Sequence, residues 1–417
     1  MTSDTPADPR DIAPLLTAEG MALLDALGPY DEADALRTAS RLRAEGRSPE
    51  LVSAALTQSK LRTRAREKFG DFAGRMLFTR AGLEQATRLR VAALHARRFA
   101  AAGLAHVADL GCGIGADAMA LAALDRRVTA VELDETTAAV ATLNLAPFPE
   151  ATVLHADAAA LDLAALPGGM PDGVWLDPAR RTTSSSGTRR IFDPEAFSPP
   201  LSFVEALAAR GLPVGVKLGP GIPHEAVPPG CEAQWVSDRG DVVEAVLWFN
   251  AVARPGVRRA ALVLGEHGSA ELTSPHDADP AHEDAEVGPV GAYLHEPDGA
   301  VIRAGLVADL ARDLGARLVH PRIAYLSSDE PVPTPLARTY RVREVLPHTV
   351  KVLKRWVREH EVGTLEIKKR GTDVTPEQLR RQLAPRGPHR ATFVVTRTQA
   401  EPGAPERRVV LVVETVD

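Results

Sequence analysis

Four short stretches place acidic residues where a ligand-binding sheet would use them. The first is Val107-Ala108-Asp109-Leu110-Gly111-Cys112-Gly113-Ile114-Gly115, an apolar run leading into a glycine turn and then a helical pattern over 116–124. Glycines at such a turn let the backbone approach a ligand closely, and the helix N-terminus that follows favours a carboxylate or phosphate. Glu132 closes the next apolar run, 23 positions after Asp109, where a doubly wound fold uses an acid to hold ribose hydroxyls. Asp157 follows the third run in His155-Ala156-Asp157-Ala158, placed to accept from an adenine amino group. Asp177 ends the fourth, in Trp175-Leu176-Asp177-Pro178-Ala179-Arg180. Each acid alone reads more readily as a cap or turn residue, but four in register point to one crevice. The glycine turn alone also fits NAD or FAD.

A sheet must align these stretches. Apolar runs at 104–110, 128–133, 152–155, 173–177 and 213–218 alternate with helical patterns, the signature of a parallel, doubly wound α/β sheet. Runs at 233–237 and 242–249 predict an antiparallel hairpin on its edge. Residues 1–100 read as a helical region. Its first stripe is Leu15, Leu16, Met21, Leu23, Leu24 and Leu27, ended by Gly28-Pro29. Ser48-Pro49-Glu50 caps a second helix, and a further one is expected over 83–100. The core is expected over 101–264. Residues 265–290, acidic and rich in Pro, Gly, Ser and His, read as a linker or long loop. Residues 291–417 predict a separate α+β domain, with helices near 303–315, 347–360 and 375–384 and strands near 363–368, 391–397 and 408–414.

The chain has 417 residues, enough for two or three domains, and its 49 Lys and Arg against 55 Asp and Glu exclude a simple polyanion binder. The average hides an asymmetry. Between 330 and 397, 15 Lys and Arg face 7 Asp and Glu, a local net charge of +8. Over 347–360, Lys351, Lys354, Arg355 and Arg358 share one helix face, with Val350, Leu353 and Val357 on another. Such a face can track phosphates, or be plain solvated surface. Cys112 and Cys231 stand far apart without a Cys/His cluster, which argues against a disulfide framework and a zinc site. The acidic, polar N-terminus and the lack of a long apolar run lead to a cytoplasmic, non-membrane expectation. Lys217 and His224 flank the turn after the fifth run, with either a substrate contact or an ordinary strand end open for Lys217. Cys112 reads as a small side chain, not a nucleophile. Residues 182–188 read as a loop that either orders over substrate or is surface.

Asp109-Leu-Gly-Cys-Gly-Ile-Gly, Val131-Glu132-Leu133-Asp134, Ala156-Asp157-Ala158 and Asp177-Pro178-Ala179-Arg180 resemble the successive motifs of class I S-adenosylmethionine-dependent methyltransferases. The resemblance covers about residues 104–250. It implies a Rossmann-like core, with Asp109, Gly111, Gly113 and Gly115 at the methionine portion of S-adenosylmethionine, Glu132 at ribose and Asp157 at adenine. Asp177 with Pro178 would face the target atom. The fourth motif departs from the family's Asp/Asn-Pro-Pro-aromatic form, leaving Phe192 or Trp175 as candidate stacking faces, each an equally good core residue. Phe78-Thr79-Arg80, Gly82-Leu83-Glu84-Gln85-Ala86-Thr87 and His95-Ala96-Arg97-Arg98 resemble the stretch before the core in RNA cap guanine-N2 methyltransferases and bacterial relatives. The whole chain resembles bacterial class I methyltransferases with a C-terminal THUMP-like domain, here 291–417, with Glu366-Ile367-Lys368-Lys369-Arg370-Gly371 its most recognisable piece. THUMP domains are associated with RNA binding, so the resemblance implies structured RNA as substrate, with Lys368, Lys369 and Arg370 among its contacts. A degenerate core kept as an RNA-binding module and a small-molecule methyltransferase remain open beside this reading.

Overall fold

A computed structural model of the chain describes residues 12–180, 193–266, 268–277 and 285–416; the 182–188 loop and Phe192 lie outside the described residues. The chain divides into two compact units, Met1–Leu218 with Leu247–Arg254, and Gly219–Val246 with Pro255–Asp417.

The first unit opens with α1 (Ala18–Ala26), α2 (Ala35–Ala44) and α3 (Pro49–Phe69). Ser48 caps α3, its hydroxyl accepting from the Leu51 amide at 3.2 Å. The helix expected over 83–100 is two helices, α4 (Arg80–Gln85) and α5 (Leu89–Ala101). The chain is extended at Ala86 and Arg88, with ψ of 137° and 133°. The carbonyls freed there are not wasted: the Lys68 ammonium takes those of Leu83, Glu84 and Ala86 at 2.9, 2.7 and 2.9 Å.

Next come β1 (His106–Leu110), α6 (Ala116–Ala122), β2 (Arg127–Glu132), α7 (Glu135–Leu145), β3 (Ala151–His155) and β4 (Gly173–Leu176). A two-strand ribbon, β5 (Ala179–Arg180) with β6 (Phe197–Ser198), precedes α8 (Leu201–Ala209) and β7 (Val214–Leu218). The strands lie in the order β3-β2-β1-β4-β7, all parallel. The order reverses between β1 and β4. A doubly wound sheet opens its ligand crevice at such a point, outside the carboxyl ends of the strands. Every residue of β1 and β4 is buried, as expected where helices cover both faces.

The second unit contains β8 (Glu232–Asp238), and the division between units falls within β9 (Asp241–Phe249). Arg239 and Gly240, at φ of +56° and +87°, form the two-residue hairpin turn between them. This hairpin is not an edge. β10 (Arg259–Leu264) pairs in parallel with β8, and β11 (Ser269–Ser274), inside the stretch read as linker, pairs antiparallel with β10.

Then follow β12 (Tyr293–Pro297), α9 (Gly299–Arg303), α10 (Val307–Leu314), β13 (Arg317–Leu318), β14 (Leu326–Ser328), β15 (Ala337–Pro347), α11 (Val350–Glu359), β16 (Val362–Lys369), α12 (Pro376–Leu383), β17 (His389–Thr398) and β18 (Arg407–Thr415). Their sheet runs β13-β14-β12-β15-β18-β17-β16, antiparallel except for the β16/β17 pair. Both faces are buried by period-two alternation. Phe393, Val395, Val410 and Val412 pack under Leu353, Trp356, Val357, Leu379 and Leu383 of α11 and α12. Val394, Leu411 and Val413 face Leu294, Tyr325 and Tyr340. The α11 stripe differs from expectation at one end: Val350 is exposed and Trp356 takes the third buried position. Val350 is the first helical residue, before the turn that meets the sheet.

Candidate active site

The acids read from sequence stand at the carboxyl ends of β1, β2, β3 and β4. Gly111 turns the chain out of β1 at φ +87°, and a Cβ there would sit 3.1 Å from the Asp177 carbonyl oxygen. A side chain would therefore press on the strand end that carries the fourth acid. Gly111→Ala is expected to cost about 1–3 kcal/mol through strain at a left-handed position. The check is thermal unfolding, in which a wild-type midpoint would contradict this account. Gly113, at φ +55°, has nothing within 4 Å of a built Cβ, so the loop is open above it. Gly115 caps α6 in the left-handed region, its built Cβ 3.4 Å from the Leu145 side chain.

Glu132 reaches back to this loop. One carboxylate oxygen accepts from the Gly113 amide and the other from the Asp134 amide, each at 2.9 Å. Burial raises the Glu132 carboxyl above its ordinary range, against the pull of those amides. Asp157 is exposed and accepts from the Ala159 amide at 2.9 Å. Asp109 differs from both: it is buried beneath the loop, and neither carboxylate oxygen has a hydrogen-bond partner among the described residues. Burial, then Asp117 and Asp177 nearby, push its carboxyl well up, which favours the neutral acid. Burial likewise pushes the Cys112 thiol well up, leaving no nucleophile there.

Asp177 is half-buried and paired with Lys217 of β7. The Lys217 ammonium donates to Asp177 Oδ2, to the Thr87 hydroxyl at 3.0 Å and to the Gln85 carbonyl at 3.4 Å. Behind it, His95 of α5 meets Asp117 of α6 at 2.8 Å, both buried. Burial opposes the Asp117 charge, but His95, with Lys217 and Thr87, more than offsets this and holds its carboxyl below the ordinary range. Burial, then Lys217 and Arg88, pull the Lys68 amine down to about 8. Asn144 of α7 ties the N-terminal stretch to the glycine loop, its amide donating to the carbonyls of Leu77 and Ile114 at 3.0 and 2.9 Å. Gly82 is required by the same contact, since a Cβ would meet the Ile114 side chain at 2.4 Å.

Trp175 provides no stacking face for a substrate. It is fully buried, with His95 stacked on it at 4.3 Å and Trp248 at 5.6 Å. A central strand covered on both faces points its side chains into the core, not out of the crevice. Pro178 is also buried.

In the second unit, His224 opens a short turn with its ring 5.1 Å from Trp235. Lys351, Lys354, Arg355 and Arg358 are exposed on α11, and of these Arg355 approaches Glu359 at 4.0 Å. The other three basic candidates divide. Lys368 is paired with Glu296 at 2.8 Å and lies over the Tyr340 ring, while Arg370 lies over Tyr325. Lys369 is exposed. Among the described residues no group of three or more His, Cys, Asp or Glu could hold a metal, and no helix is long and apolar enough to cross a membrane.

A Mycobacterium tuberculosis protein, described as an uncharacterized S-adenosylmethionine-dependent methyltransferase, is 36% identical over 368 residues, spanning 86% of this chain and 96% of its own. The chain belongs to the S-adenosylmethionine-dependent methyltransferases. The methyltransferase's cofactor is accordingly S-adenosylmethionine. The THUMP domain-like family matches residues 337–414, the span from β15 to β18, and a domain of unknown function matches 8–65. A crystal structure from Porphyromonas gingivalis W83, of a protein assigned as a methyltransferase, superposes with a TM-score of 0.71 at 21% identity. It covers 94% of this chain and all of that one, so the methyltransferase shares its fold.

Proposed function

We propose that this methyltransferase modifies a base in structured RNA, held through its phosphates by the C-terminal region. The observation that carries the reading is the exposed face of α11, where Lys351, Lys354, Arg355 and Arg358 stand clear of the buried Leu353, Trp356 and Val357. Exposed cations spaced along one helix match a phosphate backbone, and a small-molecule substrate gives them no purpose. The THUMP-like match supports the same substrate class, because THUMP domains are associated with RNA. Lys369 extends the set, whereas Lys368 and Arg370 support it from below through Glu296, Tyr340 and Tyr325.

The first unit suits the cofactor. The loop from Gly111 to Gly115 leaves open backbone at Gly113, a cradle that a side chain would fill. In this reading Gly111, Gly113 and Gly115 admit the methionine portion and Asp109 backs the loop as a neutral acid. Glu132 accepts from ribose hydroxyls, and Asp157 accepts from the adenine amino group. S-adenosylmethionine, when bound, supplies a methyl group on a good leaving group. What remains for the protein is to exclude water, hold the acceptor in line and accept its hydrogen bond. Asp177 does the last of these, on a strand end fixed by Pro178. A base within a duplex must first be extruded.

Glu132→Ala is expected to weaken S-adenosylhomocysteine binding by about 1.5–3 kcal/mol, the worth of a hydrogen bond to a charged group. Calorimetry reads this directly, and unchanged affinity would move the ribose site elsewhere. The substrate class is tested by mapping modified nucleosides in RNA from a strain lacking the gene. One methylated nucleoside should disappear and return with the wild-type gene. An unchanged nucleoside profile would overturn the RNA reading.

A further inference from the structure

We propose that Lys217 and Thr87 are positioning residues for methyl transfer, forming a relay that fixes the Asp177 carboxylate from the N-terminal helical region. The inference rests on the proposed role of Asp177. Lys217 is only 14% exposed, and all three donors of its ammonium have acceptors: Asp177 Oδ2, the Thr87 hydroxyl and the Gln85 carbonyl. A lysine held on three sides presents its charge at one point, unlike a surface lysine free to swing. Two of the three acceptors lie at the last residue of α4 and in the break after it, which Lys68 shapes by taking the carbonyls of Leu83, Glu84 and Ala86. Thr87 is itself buried, and its hydroxyl also reaches Asp117, the acid paired with His95. The path therefore runs from α3 and the α4–α5 break through Lys217 to the end of β4. Fixing Asp177 in one rotamer matters because in-line transfer tolerates little misplacement of the group that orients the acceptor.

The charged groups around Asp177 set its response to pH. Lys217 faces it from β7 and Asp109 from β1, while Asp117 with His95, from α6 and α5, and Lys68, from α3, act on Lys217, and Glu132, from β2, acts on Asp109. Lys217 is in contact with it, and a cation in contact favours the charged carboxylate. In a Lys217→Met variant, loss of that contact is expected to move the ionisation of Asp177 to higher pH.

The test uses the full chain, total RNA from a strain lacking the gene, and tritiated S-adenosylmethionine in single turnover. Lys217→Met is expected to slow transfer by roughly 10²-fold and to move the acidic limb of the pH–rate profile upward, with cofactor affinity kept. Thr87→Val should act in the same direction more weakly, and Thr87→Ser should restore the rate. In the Asp177→Asn background, Lys217→Met should slow transfer no further. NMR of protein labelled at its aspartate carboxyls reads the same point without substrate, the Asp177 signal being the one lost in Asp177→Asn. Its titration should rise in both Lys217→Met and Thr87→Val. Additive losses in the double variant, or an Asp177 titration unmoved by Lys217→Met, overturn the relay while leaving the role of Asp177 intact. An Asp177→Asn protein with wild-type rate overturns that role and the relay with it.

Discussion

Asp177→Asn is expected to slow single-turnover methyl transfer to the proposed RNA substrate by about 10²–10⁴-fold, the range for a positioned proton acceptor, and to leave S-adenosylmethionine affinity nearly unchanged. The split between the two effects follows from where the acids stand. Glu132 engages the Gly113 amide and Asp157 is exposed after β3, so the proposed cofactor contacts lie on β1, β2 and β3. Asp177 ends β4, on the far side of the point where the strand order reverses. Asparagine keeps the shape and one acceptor but loses the charge that, in the proposed role, would draw a proton from the methylated atom. It also loses the ion pair with Lys217, so the slowed variant should show a changed pH dependence as well. Rapid-quench measurement of one turnover at saturating cofactor separates chemistry from product release. A variant at full rate would move the catalytic role off the fourth motif.

The second large effect concerns RNA capture. Replacing Lys351, Lys354, Arg355 and Arg358 together with glutamine should flatten the dependence of log affinity on log salt by roughly three units, at about 0.7 per phosphate contact with single-stranded RNA. Between 50 and 200 mM salt the ratio of wild-type to variant affinity should then change by roughly 50-fold. Folding should survive, because Leu353, Trp356 and Val357 carry the packing of α11 and none of the four cations is buried. Filter binding across a salt series, with calorimetry of the cofactor as control, measures both. An unaltered slope would make the α11 face solvated surface and nothing more.

β1 to β4 and their acids were legible because each of these strands is a short apolar run with a carboxylate at or just past its end, a pattern carried by neighbouring residues. What could not be read is the proposed relay behind Asp177. Thr87 and Lys217 are 130 positions apart, and His95 and Asp117 are 22 apart on different helices. Packing of α5 against α6, and of the α4–α5 break against Lys217 of β7, brings them together. His95 and Thr87 fell within stretches marked by resemblance, with no chemistry visible in their spacing. The break at Ala86 was hidden because its cause is a side chain from another helix, Lys68. β15 was missed for a different reason: Arg338, Arg341 and Arg343 give the stretch the look of a charge run, while Ala337, Thr339 and Tyr340 carry its buried positions. The buried fate of Trp175 follows from its place in a central strand, which the motif alone does not reveal.

The central claim, methylation of RNA, is met most directly by incubating the purified full chain with tritiated S-adenosylmethionine and total RNA from a strain lacking the gene. The account predicts label in acid-insoluble material that ribonuclease releases and protease does not, with less label on RNA from the wild-type strain, already modified. Cofactor binding without ribonuclease-sensitive label would contradict it and favour a core kept for binding RNA alone.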